Sequence, residues 1–512
     1  MTSRRDWVRS TLTAFALPRP AANPWVSTSP SRVDQLGSSD IFNVRSFGAV
    51  GDGRKDDTLA IQKAIDGARN ARGGLVFVPA GTYRVTAPLV LRSQVSLLGV
   101  GRPSSLMTSD VKTNVVSGTN ISDVVLEGLQ LQGGGKDQTD DAGDGGNGIQ
   151  LQGVSRVRIV GCWLERFDDA IFAADSSSIT VAENHLEAVS GAGVRWLNVS
   201  LGAILSNEMD GARDFGNKKS AVNMVWLSAT PNGYTNRCIV AGNRGINFSF
   251  EGILVIAHHN LICDNVIESA LNGVNCQSGS EERTQPVVGG SYNTISENLF
   301  RNTRAQVMRV GNSSGSNVVS GHDNVFIGNR CEGGTIGLDL AGDTSSNTSR
   351  GDSFSGTSSH GIGLGAHASW NQIVDPTVIE AAAHGILIQG GVGNSVSGGL
   401  IRRTQQDGIR VSGSPDRTRI TGVTVVDADA GSSGSYGGIV VLGGRSAYVA
   451  HNRSFVTEPA SYQLRGLVVS RDAKDSVILG NDFRGNRNAV SGMQVGDETA
   501  VVAGNLDGAA KL

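Results

Sequence analysis

Aromatic side chains are scarce in this chain: Phe, Trp and Tyr make up 5% of its 512 residues. The core therefore has to be filled by Val, Ile and Leu. Charge of one sign is missing as well. With 44 Lys and Arg against 47 Asp and Glu, the formal net charge is −3, which gives no electrostatic footprint for nucleic acid. No apolar run approaches the ~20 residues of a membrane-spanning helix, so no membrane partner is expected. Cysteine is sparse and odd in number: Cys162, Cys238, Cys263, Cys276 and Cys331, with no close pair at metal-ligand spacing. These read as small buried hydrophobes, and one disulfide stays open if the protein is exported.

Glycine is abundant, with 69 residues, and so is one short phrase. A small residue is followed by a branched aliphatic one at Gly148-Ile149, Ala170-Ile171, Gly193-Val194, Ala221-Val222, Gly252-Ile253 and Gly273-Val274. The phrase returns at Gly337-Leu338, Gly361-Ile362, Gly385-Ile386, Gly408-Ile409, Gly438-Ile439, Gly466-Leu467 and Ala489-Val490. Most steps are roughly 22 to 24 residues, the period of a solenoid whose units bury their apolar faces only by stacking. Inside each unit the pattern alternates with period 2, as in Ile149-Gln150-Leu151-Gln152, so the units are strands. A chain this long would normally split into several cores, but a solenoid grows along one axis. The expectation is an all-β, single-stranded, right-handed parallel β-helix of about a dozen coils, roughly 60 Å long at one strand spacing per coil.

Three segments divide the chain. Residues 1–22, with Arg4-Arg5 ahead of Thr11–Leu17 and Ala21-Ala22, resemble a twin-arginine export signal, which implies a secreted or periplasmic bacterial protein. Residues 23–41, rich in Pro, Ser and Asn, read as a linker. The β-helix domain covers 42–512. It opens on a turn-rich stretch, then Asp56-Asp57-Thr58 caps a helix whose apolar face is Leu59, Ile61, Ala64, Ile65 and Ala68. Such a helix covers the bare strand edge of the first coil. Asn184, Asn207, Asn243, Asn265, Asn298, Asn329 and Asn481 recur at one corner. They predict a structural ladder of asparagines in the left-handed conformation.

The opening resembles the pectate-lyase-like superfamily of right-handed β-helix proteins. The resemblance runs from Phe42 to Val85 and rests on Asn43-Val44, Phe47-Gly48-Ala49-Val50-Gly51-Asp52-Gly53, Asp56-Asp57-Thr58, Ala60-Ile61 and Val78-Pro79-Ala80-Gly81-Thr82-Tyr83. It is specific for the fold and weak for the reaction, because hydrolases, polysaccharide lyases, epimerases and tailspike depolymerases share such openings.

Strand alternation sorts the repeated face. With Ile149, Ile171, Val194, Val222 and Val274 inward, the outward column reads Gln150, Phe172, Arg195, Asn223, Leu254, Asn275, Arg309, Asp339, Gly363, Leu387, Arg410, Val440 and Val468. A polar strip with ring faces suits a long polar polymer such as a glycan. Gln150, Arg195, Trp196, Asn223, Trp226 and Arg309 are the expected substrate-binding residues.

A second column, Asn147, Asp169 and Ala192, precedes the phrase. In polygalacturonase-like hydrolases this column supplies Asp, Asp and His, with a further Asp before the middle one. Asp168 and Asp169 match the middle pair, while Asn147 and Ala192 depart from the pattern, and the Arg-x-Lys substrate motif is absent. Hydrolysis of a glycosidic bond needs two carboxyl groups. Asp168 and Asp169 are the first candidates, Asp214 is the expected partner, and Asp144 is a further one. Arg195, one coil on, is expected to hold Asp169 ionised as a base.

The sequence therefore points to an exported enzyme that cleaves a polysaccharide, with no cofactor or metal in the hydrolase reading. A lyase of an acidic glycan is the rival; it would use Arg195, Arg213 or Arg309 as base and call for Ca²⁺ on Asp168 and Asp169. The run Gly148 to Asp214 also resembles inulin fructotransferases, which implies intramolecular transglycosylation, an acid near Asp214 and a homotrimer. A non-catalytic glycan-binding or tailspike-like protein is the alternative from outside enzymology.

Overall fold

The computed structural model describes residues 41–134, 146–211, 222–230, 233–278, 289–311, 321–431, 433–458, 461–487 and 492–507. The expected export signal and all of the linker but Ile41 lie outside them.

The described residues form a right-handed parallel β-helix. Their strands stack into two long parallel sheets of 18 and 31 strands, the larger one bending across two faces of the coil. The coil around Asp169 shows the pattern. Ser155–Val160 lies on the first face, and Trp163–Ala174 then runs as one strand over the second and third. Pairing is parallel throughout the stack, and the antiparallel pair of Asn223–Thr230 with Gly233–Tyr234 is a local hairpin.

The core is a column of branched aliphatics in register. Ile149, Ile171, Val194, Val225, Ile253 and Val274 pair in succession and are fully buried. Each coil alone would leave these side chains wet, so stacking drives the fold. One expected register is corrected here. The stack uses Val225 and Trp226 where the sequence pointed to Val222 and Asn223. Val222 follows Ala221 and fits the phrase, whereas Val225 follows Met224 and does not, so only pairing with Val194 reveals the register.

Corner asparagines form the expected ladder. The amide oxygen of each accepts the backbone N–H and side-chain N–H of its predecessor, through Asn184, Asn207, Asn243, Asn265, Asn298 and Asn329, ending on Asp352. The left-handed residue is the one before each asparagine, as at Glu183, Ser206 and Asp264, rather than the asparagine itself. A turn must come first, so that the amide then points along the stack. A second ladder runs through Asn260, Asn293, Asn324, Asn347, Asn371 and Asn394 at another corner.

Helix α1 (Thr58–Asn70) covers the first coil with Ile61, Ala64, Ile65 and Ala68 buried. Leu59, expected on that face, is instead 74% exposed. Asp57 stands at the helix start, but its carboxylate accepts the N–H groups of Val50 and Gly51. Asp56 accepts the backbone N–H of Thr58 in its place.

Candidate active site

Asp168 and Asp169 sit where two neighbouring strands fall out of register. Phe167 pairs with Val189 and Asp169 with Ala192, so Ser190 and Gly191 together oppose Asp168. Such a bulge re-aims side chains. Ser190 Oγ donates to Asp168 Oδ1 at 2.9 Å. A Cβ on Gly191 would stand 2.7 Å from Asp169 Oδ1 and 3.0 Å from Asp168 Oδ1. Only glycine lets both carboxyl groups share that space.

Arg195 Nη1 lies 3.4 Å from Asp169 Oδ2. The expectation that this cation keeps Asp169 ionised fails. Burial outweighs Arg195 and pushes the Asp169 carboxyl up to about 7, with Asp168 adding to the rise. Asp169 Oδ1 is buried and has no hydrogen-bond partner among the described residues. Near neutral pH, Asp169 is a group that still holds its proton for half the time, as suits an acid.

The outward column holds its register, though Leu254 and Asn275 in it are buried. Gln150, Phe172, Arg195, Trp226, Leu254, Asn275, Arg309 and Asp339 are register partners on successive coils. The Arg195 guanidinium lies 5.6 Å from the Phe172 ring centre and 4.2 Å from that of Trp226. Rings on the coils before and after therefore hold this cation in place. Gln150 Oε1 accepts the side-chain N–H groups of Asn114 and Asn147, both at 3.0 Å.

Two expected substrate residues move. Trp196 is wholly buried; alternation puts it on the same inward side as Val194, so it is core and touches no substrate. Asn223 pairs with Ala192 and so joins the column of Asp169 rather than that of Arg195. Asp214, Asp144 and Arg213 lie outside the described residues.

That same column carries residues the sequence reading missed. Past Ala192 and Asn223 it continues to Glu251 and Asn272. Glu251 is buried, and its Oε1 accepts Nδ2 of Asn272 at 3.1 Å and of Asn275 at 2.9 Å. Burial raises its carboxyl above the usual range, against the two amides and Arg309. Counting on from Ala192 by register would have found it, but the longer coil hid the count.

Elsewhere the chemistry is plain. All five cysteines are free thiols, so the disulfide left open by the sequence does not form. His258 is buried and His259 exposed, and His259 turns in the left-handed conformation so that both rings lie beside Tyr292. Among the described residues no group of three His, Cys, Asp or Glu gathers to hold a metal ion, and no helix is long and apolar enough to cross a membrane.

Two family models match the chain: "Rhamnogalacturonase A/epimerase, pectate lyase-like" over residues 41–284 and "Periplasmic copper-binding protein (NosD)" over residues 309–499. Among curated proteins, mannuronan C5-epimerase AlgE3 of Azotobacter vinelandii is 51% identical over 67 residues, 12% of this chain and 4% of that one. Alginate lyase 7 of the same organism is 36% identical over 109 residues, 17% and 13% of the two chains. Plasmin and fibronectin-binding protein A of Streptococcus pneumoniae is 34% identical over 121 residues, 22% and 15%. The chain thus spans only a small part of these relatives. Among solved structures, the catalytic unit of a GH87 alpha-1,3-glucanase from Streptomyces thermodiastaticus superposes with a TM-score of 0.47 at 16% identity, covering 86% of this chain and 70% of that one. The surface adhesin PfbA of Streptococcus pneumoniae gives 0.46 at 16% identity, covering 75% and 90%.

Proposed function

The chain belongs to the pectate-lyase-like superfamily of right-handed parallel β-helix proteins, and from its outward acids we propose that it is an exported carbohydrate-active enzyme cleaving glycosidic bonds of a polysaccharide. The observation that carries this reading is the Asp168–Asp169 pair: two buried carboxyl groups at a bulge, one held near neutrality, beside a ring-flanked arginine. Separating the protonation states of two acids is what hydrolysis requires. Asp169 gives its proton to the leaving glycosidic oxygen. Asp168, oriented by Ser190, acts on the sugar carbon directly or through water. Phe172, Trp226 and Gln150 offer ring faces and amide groups to the chain on either side.

A polysaccharide lyase of an acidic glycan is the second reading. It is favoured by Arg195 and Arg309 in one outward column and by similarity to an alginate lyase over part of the chain. There Arg195, in its neutral form, takes the proton beside the uronate carboxyl group, the glycosidic C–O bond breaks to leave an unsaturated end, and Asp169 gives its proton to the leaving oxygen. Against Ca²⁺ on Asp168 and Asp169 stands the Arg195 guanidinium, 3.4 Å from Asp169 Oδ2, which repels a dication.

Incubation with neutral glucans, pectin, alginate and inulin separates the readings. New reducing ends alone indicate hydrolysis; reducing ends with ultraviolet absorbance from unsaturated ends indicate a lyase. A cyclic or anhydro product without new reducing ends indicates transglycosylation of the fructotransferase kind. Binding with no product on any of them would leave a glycan-binding protein and sink the enzyme reading.

A further inference from the structure

We propose that the same outward face carries a second saccharide subsite, centred on Glu251, Asn272, Asn275 and Arg309, which takes a neutral hydroxyl-bearing sugar unit of a polysaccharide chain. The saccharide class rests on the reading above; the existence of a site rests on the geometry that follows.

Four polar atoms converge on these coils without a hydrogen-bond partner among the described residues: Glu251 Oε2, Asn272 Oδ1, Asn275 Oδ1 and Arg309 Nε. Glu251, Asn272 and Asn275 are 1%, 4% and 2% exposed, so bulk water does not serve them. Arg309 Nε stands 3.8 Å from Asp339 Oδ2, beyond hydrogen-bond range. Native chains satisfy nearly all buried polar groups, and a partly satisfied network costs stability. Four orphans in one place mark atoms kept for a partner that arrives from outside.

Their chemistry selects that partner. Glu251 Oε1 is occupied by two amide N–H donors, which leaves Oε2 for a group that the ligand brings. Arg309 offers an N–H. The two amide oxygens are acceptors. A phosphate or carboxylate would meet that donor and leave both acceptors unmet, whereas neighbouring hydroxyls on a sugar ring donate and accept at once. Leu254, beside Glu251 on its strand, packs with Trp226, Ala229 and Ile256 into an apolar shelf on the same face, as a ring face requires. Three coils separate Glu251 from Asp169, roughly 14 Å at one strand spacing per coil. That is too far for the two acids to flank one bond. Glu251 therefore binds, and the groove spans several sugar units.

The test uses the Asp169→Asn protein, which holds substrate without turning it over, in native gels containing each glycan of the panel. We expect the cleaved glycan to retard it. Adding Glu251→Ala should weaken retention at least tenfold. Adding Glu251→Gln, which keeps the Oε1 acceptor and a polar group at the other position, should change it less than threefold. Asn275→Leu is the second probe, should Glu251→Ala fail to fold. Equal retention of Glu251→Ala (or, in its place, Asn275→Leu) and its parent overturns the subsite. Loss with Glu251→Gln as severe as with Glu251→Ala also overturns it, because the group would then be needed as a transferable proton. Retention dependent on Glu251 without cleavage of any glycan would sink the enzyme reading and leave the subsite standing. Neither retention nor cleavage on the panel removes both.

Discussion

Arg195 Nη1 stands 3.4 Å from Asp169 Oδ2, yet the Asp169 carboxyl is held up at about 7. Proximity of a cation and protonation of an acid are usually opposed. Here the cost of burying the charge is the larger effect, and Arg195 only limits the rise.

Asp169→Asn should abolish turnover, falling by at least ~10²-fold as expected for loss of a proton donor. In the parent protein, activity should decline as pH rises through about 7, where Asp169 loses its proton. The stability consequence has a definite sign. A carboxyl raised from 3.8 to about 7 adds stability that is complete below 3.8 and is lost as pH rises through 7. Asp169→Asn should thus be the more stable protein at pH 8, by roughly 4 kcal/mol at the upper limit. Thermal melts of both proteins at pH 5 and pH 8 check this; a gap that does not widen with pH contradicts it.

Arg195→Leu removes the cation that restrains Asp169 and breaks the contacts with Phe172 and Trp226. The alkaline limb of the pH–rate profile should move to higher pH, while KM rises about tenfold from the lost contact. An unmoved limb would show that Asp169 is not the group titrating.

The two tryptophans should separate cleanly. Trp196→Ala empties a core position and should cost about 3–5 kcal/mol of stability. Trp226→Ala, on the outward face, should melt within a few degrees of the parent and lose affinity for the polysaccharide instead. Calorimetry paired with KM measurements distinguishes them.

Asn265→Ala should destabilise the stack by about 2 kcal/mol or more. It strips the acceptor from Asn243 and the donor from Val240 O and Asn298 Oδ1. Specific activity of the folded fraction should not change, since this corner lies away from the acids.

Thiol chemistry gives an independent check. Burial pushes the Cys162, Cys238 and Cys276 thiols up to about 12. They should resist an aromatic disulfide reagent in the native protein and react once it is unfolded. Reductant should leave the melting temperature unchanged.

The sequence by itself determined the fold, because a solenoid repeats one local instruction. Period-2 alternation, a small residue before each branched aliphatic, and an asparagine at the corner each act within one coil or between neighbours. Ile149, Ile171 and Val194 could be stacked by counting, and so could Asp169 over Asn147. Counting fails where a coil lengthens. Val222 carries the small-residue phrase and Val225 does not, so the pattern favoured the wrong one, and only pairing with Val194 decided that Trp226 faces outward and that Asn223 joins the Asp169 column. The same slip hid Glu251. Tertiary structure also decided the charge state of Asp169. Sequence proximity gave the attraction of Arg195, but desolvation depends on everything packed around a group, and that is a property of the folded stack alone.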